Sequence, residues 1–327
     1  MSSMRSVKIM LGILATIFVV VYIGGAWYFS SVILHTQLKP CDKAIYVYCG
    51  KPSSLKLPYK DVTFKSEDNK TLKGWWVPAK SPDSKQTIVI VHGRNGTRHA
   101  GLRFSPALRA ANYNILMFDL RHNGESERSF SSMGYHEQKD VAAAIDFAEK
   151  RTPNIGIMGF SMGSSTSIMV MARDKRVKAG VFEGGYSNAK EVLVERAKLD
   201  YGLPEFPLIP MVFFLTNMRG KMDLGQVNPA KVIGSISPRG VYIIHGKHDR
   251  DVLPRHGKVL FAKAKEPKQY WEVDAKGHIV SWKHNKKKAE SQLVAFFDKF
   301  LKAKPKEAKA KTLKATDNSK KKPALTK

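Results

Sequence analysis

Cysteine is nearly absent: Cys41 and Cys49 are the only two among 327 residues. That excludes a disulfide-dense scaffold and a thiolate zinc cluster, each of which needs several cysteines at close spacing. Acidic residues are scarce as well, 28 Asp and Glu against 55 Lys and Arg, which leaves a net charge of +27 at pH 7. So one-sided a charge points to a polyanionic partner, whether nucleic acid, an anionic membrane surface or a wall polymer, and is silent on fold. No internal repeat is visible. What is present is enough apolar material, 43% of residues, for a sizeable core in one large domain or two small ones, which excludes wholesale disorder.

The longest uncharged run is Ile9 to Leu34, IMLGILATIFVVVYIGGAWYFSSVIL, after a short basic N-terminus (1–8) carrying Arg5 and Lys8. At about 1.5 Å per residue it crosses the roughly 30 Å of bilayer hydrocarbon. It reads as a single-pass transmembrane signal anchor, with a cleaved signal peptide as the alternative because Gly24-Gly25-Ala26 offers small residues at a cleavage site. Positive-inside counting does not orient it: Arg5 and Lys8 on one side are matched by Lys39, Lys43 and Lys51 on the other. Both cysteines fall in the linker that follows (35–59), in PCDKAIYVYC. A disulfide there implies a catalytic domain on the outer, extracytoplasmic side; two unrelated thiols are the other reading.

From Val62 to Val77 two alternating β-branched and aromatic runs flank the polar turn Glu67-Asp68-Asn69-Lys70, the pattern of a hairpin. Short continuous apolar runs then mark buried parallel strands at 87–91, 115–118, 155–158, 180–182 and 241–244. Helical patterns lie between them at 101–111, 137–150 and 164–173. Such alternation means an α/β fold, a mostly parallel sheet with helices on both faces. Residues 60–301 form this domain. Residues 187–238 interrupt the rhythm, and Pro204, Pro207, Pro210 and Pro229 break them into short pieces, so they read as an inserted cap whose apolar residues either face a substrate or pack on the domain. Segment 302–327, KAKPKEAKAKTLKATDNSKKKPALTK, has the composition of a disordered tail.

The chemistry is concentrated in three places. Gly159-Phe160-Ser161-Met162-Gly163 lies between an apolar run and a small-residue helix start. A serine on a sharp strand-to-helix turn needs glycines on either side, and the helix behind it supplies free N–H groups. A bare G-x-S-x-G arises by chance roughly one time in ten in a chain this long, so its position between strand and helix is what gives it weight. A serine hydroxyl needs a histidine to take its proton and a carboxylate to orient that histidine. His245-Gly246-Lys247-His248-Asp249-Arg250-Asp251 and Lys276-Gly277-His278 follow in that order, each just past the end of a strand. The third place is the turn His92-Gly93-Arg94-Asn95-Gly96, where Arg94 N–H is the second candidate oxyanion donor beside Met162 N–H. The Arg94 guanidinium reads as solvated, His92, His245, His248, His256 and His284 as surface or turn residues, and Asp119 and Arg121 as braces of their turn.

VHGRNG (91–96), FDLRHNGES (118–126), GFSMGS, HGKHDRDV and KGH, in that order over about residues 60 to 300, resemble the α/β-hydrolase superfamily. More narrowly the chain is similar to bacterial membrane-anchored hydrolases of the serine aminopeptidase and esterase groups. The resemblance implies Ser161 as nucleophile, Asp249 as acid, His278 as base, and Met162 and Arg94 as oxyanion donors, with Glu183 and Asp251 as alternative acids. The expected activity is carboxylic ester hydrolysis through an acyl-enzyme, with amidase, aminopeptidase or acyl-thioesterase as rivals on the same triad. No metal or organic cofactor is implied. A reading of another class is a basic, membrane-tethered polyanion-binding protein, motivated by the Lys-rich tail and by the patch from Lys283 to Lys288. The tail has no aromatics for base stacking, so nucleic acid is disfavoured and anionic lipid or wall polymer is the expected partner of that charge.

Overall fold

The computed structural model describes residues 2–36, 41 and 46–302, so the Lys-rich segment read as a disordered tail lies outside the described residues from 303 on. Eight strands build one sheet: β1 Lys60–Lys65, β2 Thr71–Val77, β3 Gln86–Val91, β4 Asn114–Phe118, β5 Asn154–Phe160, β6 Val177–Glu183, β7 Gly240–His248 and β8 Lys268–Lys276. Their order across the sheet is β1-β2-β4-β3-β5-β6-β7-β8. The first hairpin pairs antiparallel, as does β2 with β4, and every later pair is parallel.

The helices are α1 Ser2–Leu34, α2 Ser105–Ala110, α3 Glu137–Glu149, α4 Met162–Arg173, α5 Ala189–Tyr201, α6 Leu208–Gly220, α7 Pro229–Val232, α8 Pro254–Lys263, α9 Ser281–His284 and α10 Lys286–Leu301. The run TIVIV shows why the sheet is covered on both sides. Val89 and Val91 face one apolar cluster with Val141, Ile145 and Ile168 from α3 and α4. Ile88 and Ile90 alternate onto the other, with Leu108 from α2 and Leu293 and Phe297 from α10. Parallel strands sandwiched in this way put all their carboxyl ends at one edge, where a site can gather.

Three expectations need correcting. The helix expected over 101–111 is a 3-10 turn, Arg98–Arg103, followed by α2, with Pro106 in the first turn of α2. Pro210 does not break the cap but sits in the first turn of α6, where a missing N–H costs no helical hydrogen bond. In segment 35–59 the structure joins Cys41 to Cys49, the disulfide reading of that pair, but the linker is not loose throughout, because Tyr46 is buried with its Oη accepting from Thr97 N–H at 2.7 Å.

α1 is long and apolar enough to cross a membrane. Only its first part is bare, however, because Ala26, Ser30, Ile33 and Leu34 are buried against the domain. α6 runs alongside in the same direction: Tyr22 Oη donates to Pro207 O at 2.9 Å, and Arg219 donates to Trp27 O and Ser30 Oγ, each at 3.0 Å.

Candidate active site

Ser161 stands where β5 turns into α4, with φ 52° and ψ −123°, a backbone conformation few non-glycine residues adopt. Its N–H donates to Glu183 O at 2.9 Å, which ties the turn to the neighbouring strand. The flanking glycines are steric necessities. A Cβ at Gly163 would lie 2.3 Å from His92 O, and one at Gly159 would lie 2.5 Å from Gly163 O. Met162 is the first residue of α4, so its N–H has no partner within the helix and carries the positive end of the helix dipole. The helix thus begins two residues earlier than the pattern over 164–173 suggested. Across from Ser161 is the turn after β3, where a Cβ at Gly93 would sit 2.9 Å from Ser161 Cβ. Arg94 follows in that turn, beside the serine.

Asp249 and His278 come together from the ends of β7 and β8. A carboxylate only accepts, so His278 Nδ1 is the donor to Asp249 Oδ2, at 2.6 Å. The other oxygen, Oδ1, accepts from Asp251 N–H at 2.9 Å and Val252 N–H at 3.1 Å, which fixes the carboxylate's rotation. His278 Nε2 is enclosed with no hydrogen-bond partner among the described residues. Both His278 and Ser161 line one cavity of about 690 Å³. Ligand-capable atoms of Asp249, Asp251 and His278 lie within 4.8 Å of one another, but the bonds just given already occupy Asp249 and His278 Nδ1 as an acid–imidazole pair.

The alternative acids are placed elsewhere. Glu183 is buried at the end of β6, and its carboxylate accepts from Ser281 N–H and Oγ, each at 2.9 Å, three residues beyond His278. Burial pushes its carboxyl above the usual carboxylate range. Asp251 is exposed and lies 3.4 Å from Arg196 Nη1. The turn after β4 is held by Asp119, which accepts from Arg98 N–H and Glu125 N–H, while Arg121 forks onto both Asp140 and Asp68.

Several polar side chains are not where the sequence suggested. The Arg94 guanidinium is not solvated: it turns inward and donates through Nη2 to Val32 O at 2.6 Å and Ile33 O at 3.2 Å, carbonyls in the last turn of α1. His92, His245 and His256 are buried, while His248 and His284 are exposed. His92 donates from Nδ1 to Gly93 O and accepts at Nε2 from Leu120 N–H, so it is a neutral strut under the turn, and burial lowers its pKa. His256 bridges Glu195 of α5 and Ser187. The basic patch also reaches the site, since Lys283 lines the cavity.

The cavity wall holds residues that no motif announced. They are Phe29, Val32 and Ile33 of α1, Tyr46, and Ile209 and Val212 of α6. The long apolar run in the sequence marks a helix of membrane-spanning length, but nothing local in it says that its last turns line a cavity.

A match to the family model described as alpha/beta hydrolase fold runs over residues 86–209, from β3 through the Ser161 turn into the cap. The chain has the α/β-hydrolase fold. Within that fold its relatives include the uncharacterized protein YqkD of Bacillus subtilis, 26% identical over 232 residues, which are 69% of this chain and 75% of YqkD. The uncharacterized protein YfhR of Salmonella typhimurium is 26% identical over 227 residues, 67% of this chain and 74% of YfhR. Among solved structures, the Pyrococcus furiosus esterase Pf2001 superposes with a TM-score of 0.65 at 22% identity, covering 82% of this chain and 100% of the esterase. The α/β-hydrolase sheet is therefore shared at low sequence identity.

Proposed function

We propose that the protein is a membrane-anchored serine hydrolase that cleaves carboxylic esters. The observation that carries this reading is the His278–Asp249 bond of 2.6 Å with the opposite ring nitrogen, Nε2, left unpaired in the cavity that Ser161 lines. Ser161 Oγ attacks the ester carbonyl as His278 Nε2 takes its proton. Negative charge then develops on the carbonyl oxygen, and Met162 N–H and Arg94 N–H are the donors that receive it. Collapse of the tetrahedral species breaks the C–O bond, and His278 returns the proton to the leaving alkoxide. Water, deprotonated by His278, attacks the acyl-enzyme and frees the carboxylic acid and Ser161.

Esters are favoured over amides because Pf2001, with the same fold, is an esterase. The domain is assigned to the outer side of the membrane, where the Cys41–Cys49 disulfide is stable. Burial of Ala26 and the approach of Gly25 to Leu208 favour a helix that is retained rather than cleaved. The test is a panel of acyl esters, aminoacyl amides and acyl thioesters presented to wild type and Ser161→Ala. Ester turnover that vanishes in Ser161→Ala is expected; a preference for amides or thioesters overturns the substrate class, and turnover that survives in Ser161→Ala overturns the nucleophile.

A further inference from the structure

α1 joins a run of membrane-spanning length to last turns that line the cavity, and this fixes how far the site stands from the bilayer. Lys8 is the last charged residue before the apolar run. Counting about 20 residues from Ile9, the length that crosses the hydrocarbon layer, puts the far edge of that layer near Tyr28. Trp27 and Tyr28 are exposed there, as suits the interfacial aromatic belt. α6, however, already begins beside Tyr22, through the Tyr22–Pro207 hydrogen bond. Six residues separate Tyr22 from Tyr28, so the first turn of α6 sits about 9 Å inside the hydrocarbon edge.

Apolar side chains are exposed from that depth outward to the interface, with the exposed Glu205 beside Phe206. Phe206, which precedes α6, is 77% exposed, and Phe214, Met218, Leu199 and Tyr201 are exposed on α6 and α5. Large apolar side chains bare on adjacent helices mark an interaction surface rather than scattered surface residues. Tyr201 packs edge-on against Phe29 of α1, so this surface is continuous with the membrane helix. The occupant is therefore the hydrocarbon of the bilayer that α1 spans. Within one or two turns of the interface, Phe29, Val32 and Ile33 of α1 and Ile209, Val212 and Phe213 of α6 line the cavity that holds Ser161 and His278.

We propose that the substrate is a lipid acyl ester drawn directly from the leaflet, with α6 and its Phe206 approach embedded in the hydrocarbon as the entry path. This rests on the serine hydrolase reading above. The helices that line the cavity are the ones that reach the hydrocarbon, so a lipid's acyl chain follows apolar side chains of α1 and α6 to Ser161, whereas a short water-soluble ester needs no contact with Phe206 or Phe214.

The experiment uses the full chain reconstituted in vesicles of phosphatidylethanolamine, phosphatidylglycerol and dioleoylglycerol, reading total oleate released, beside p-nitrophenyl butyrate in the same sample. Wild type is expected to release oleate, and Ser161→Ala to lose both activities. Phe206→Glu/Phe214→Glu, which touches neither Ser161 nor His278, is expected to lower oleate release at least about tenfold and to keep butyrate hydrolysis within about twofold. Equal oleate release by the double variant overturns the proposal. Butyrate hydrolysis without oleate release by wild type overturns the lipid substrate and leaves the hydrolase standing, while loss of neither substrate's cleavage in Ser161→Ala, or cleavage of neither by wild type, overturns both. A fold-independent arm attaches an environment-sensitive fluorophore at Phe206→Cys, where quenching by acyl-brominated lipid is expected and water-like, unquenched emission overturns the embedded path. That arm decides if the double variant loses both activities together.

Discussion

Replacing Asp249 by Asn isolates the orientation of His278 from everything else in the site. Asp249 Oδ1 accepts from two backbone N–H groups, Asp251 at 2.9 Å and Val252 at 3.1 Å, so an asparagine keeps its carbonyl oxygen there and turns its amide nitrogen toward His278. The flipped rotamer would aim an NH2 group at two N–H donors and lose both bonds. An amide N–H facing Nδ1 forces that nitrogen to accept, which moves the ring proton to Nε2. His278 then presents a proton to Ser161 rather than a lone pair, and proton abstraction stops. In the serine protease template this tautomer error costs about 10⁴ in kcat, equivalent to about 5 kcal/mol of transition-state stabilisation. Stability falls far less, by about 1–3 kcal/mol, since one charge-assisted bond is exchanged and none of the backbone donors is orphaned. The assay is steady-state hydrolysis of p-nitrophenyl butyrate together with a thermal melt. An Asp249→Asn protein that melts near wild type and keeps a tenth or more of its kcat refutes the idea that Asp249 sets the tautomer of His278.

Four further outcomes follow from the same contacts. Arg94→Met leaves Val32 O and Ile33 O without their guanidinium donor, and should cost about 3 kcal/mol in denaturant unfolding; a cost near zero contradicts the docking of α1 on the turn. Glu183→Ala orphans Ser281 N–H and Oγ, so kcat should fall as the segment after His278 loosens, yet by less than in Asp249→Asn; a loss as deep as that variant's would return Glu183 to the role of acid. Gly163→Ala drives a methyl to 2.3 Å from His92 O, a backbone atom that cannot swing away, and should destabilise by about 1–3 kcal/mol with loss of activity; a wild-type melt contradicts the packing of α4 on the turn after β3. The Arg121 guanidinium holds the Asp68 carboxyl well below the usual carboxylate range. A folded-state pKa lower than the unfolded one contributes stability above pH about 4 and loses it as pH falls below that, so Asp68→Asn should flatten the acid limb of the stability curve, and an unchanged limb refutes the contribution.

What could be read from the sequence and what could not divide along physical lines. TIVIV announced β3 because a strand buried on both faces must be apolar at every position, and Gly159 and Gly163 announced the Ser161 turn because no Cβ fits there. The order of Asp249 and His278 after strand ends was visible for the same local reason. The Arg94 guanidinium is not legible in the sequence because its partners are carbonyls of residues 32 and 33, a contact distant in sequence whose acceptors carry no side-chain signature. Tyr46 reads as linker for that reason too, since its role lies in accepting from Thr97 N–H. His92, His245 and His256 look like turn residues in the chain, and only the packed turns around them show that each is buried with a backbone or side-chain partner. Composition indicated a helix long and apolar enough to cross a membrane; which of its residues stay bare and which line the cavity depends on where α6 lies against it. The charge excess is only partly placed, with Lys283 at the cavity and the segment from 303 on outside the described residues.

The central claim is that Ser161 becomes covalently acylated with His278 as its base. Its most direct measurement is peptide mass spectrometry after exposing the full chain to a fluorophosphonate and, separately, to a slowly released acyl ester. The expected result is a single adduct on the peptide containing Ser161, formed by wild type, absent in Ser161→Ala and strongly slowed in Asp249→Asn. An adduct at another serine, or an unmodified Ser161 in a sample that is turning over ester, would contradict it.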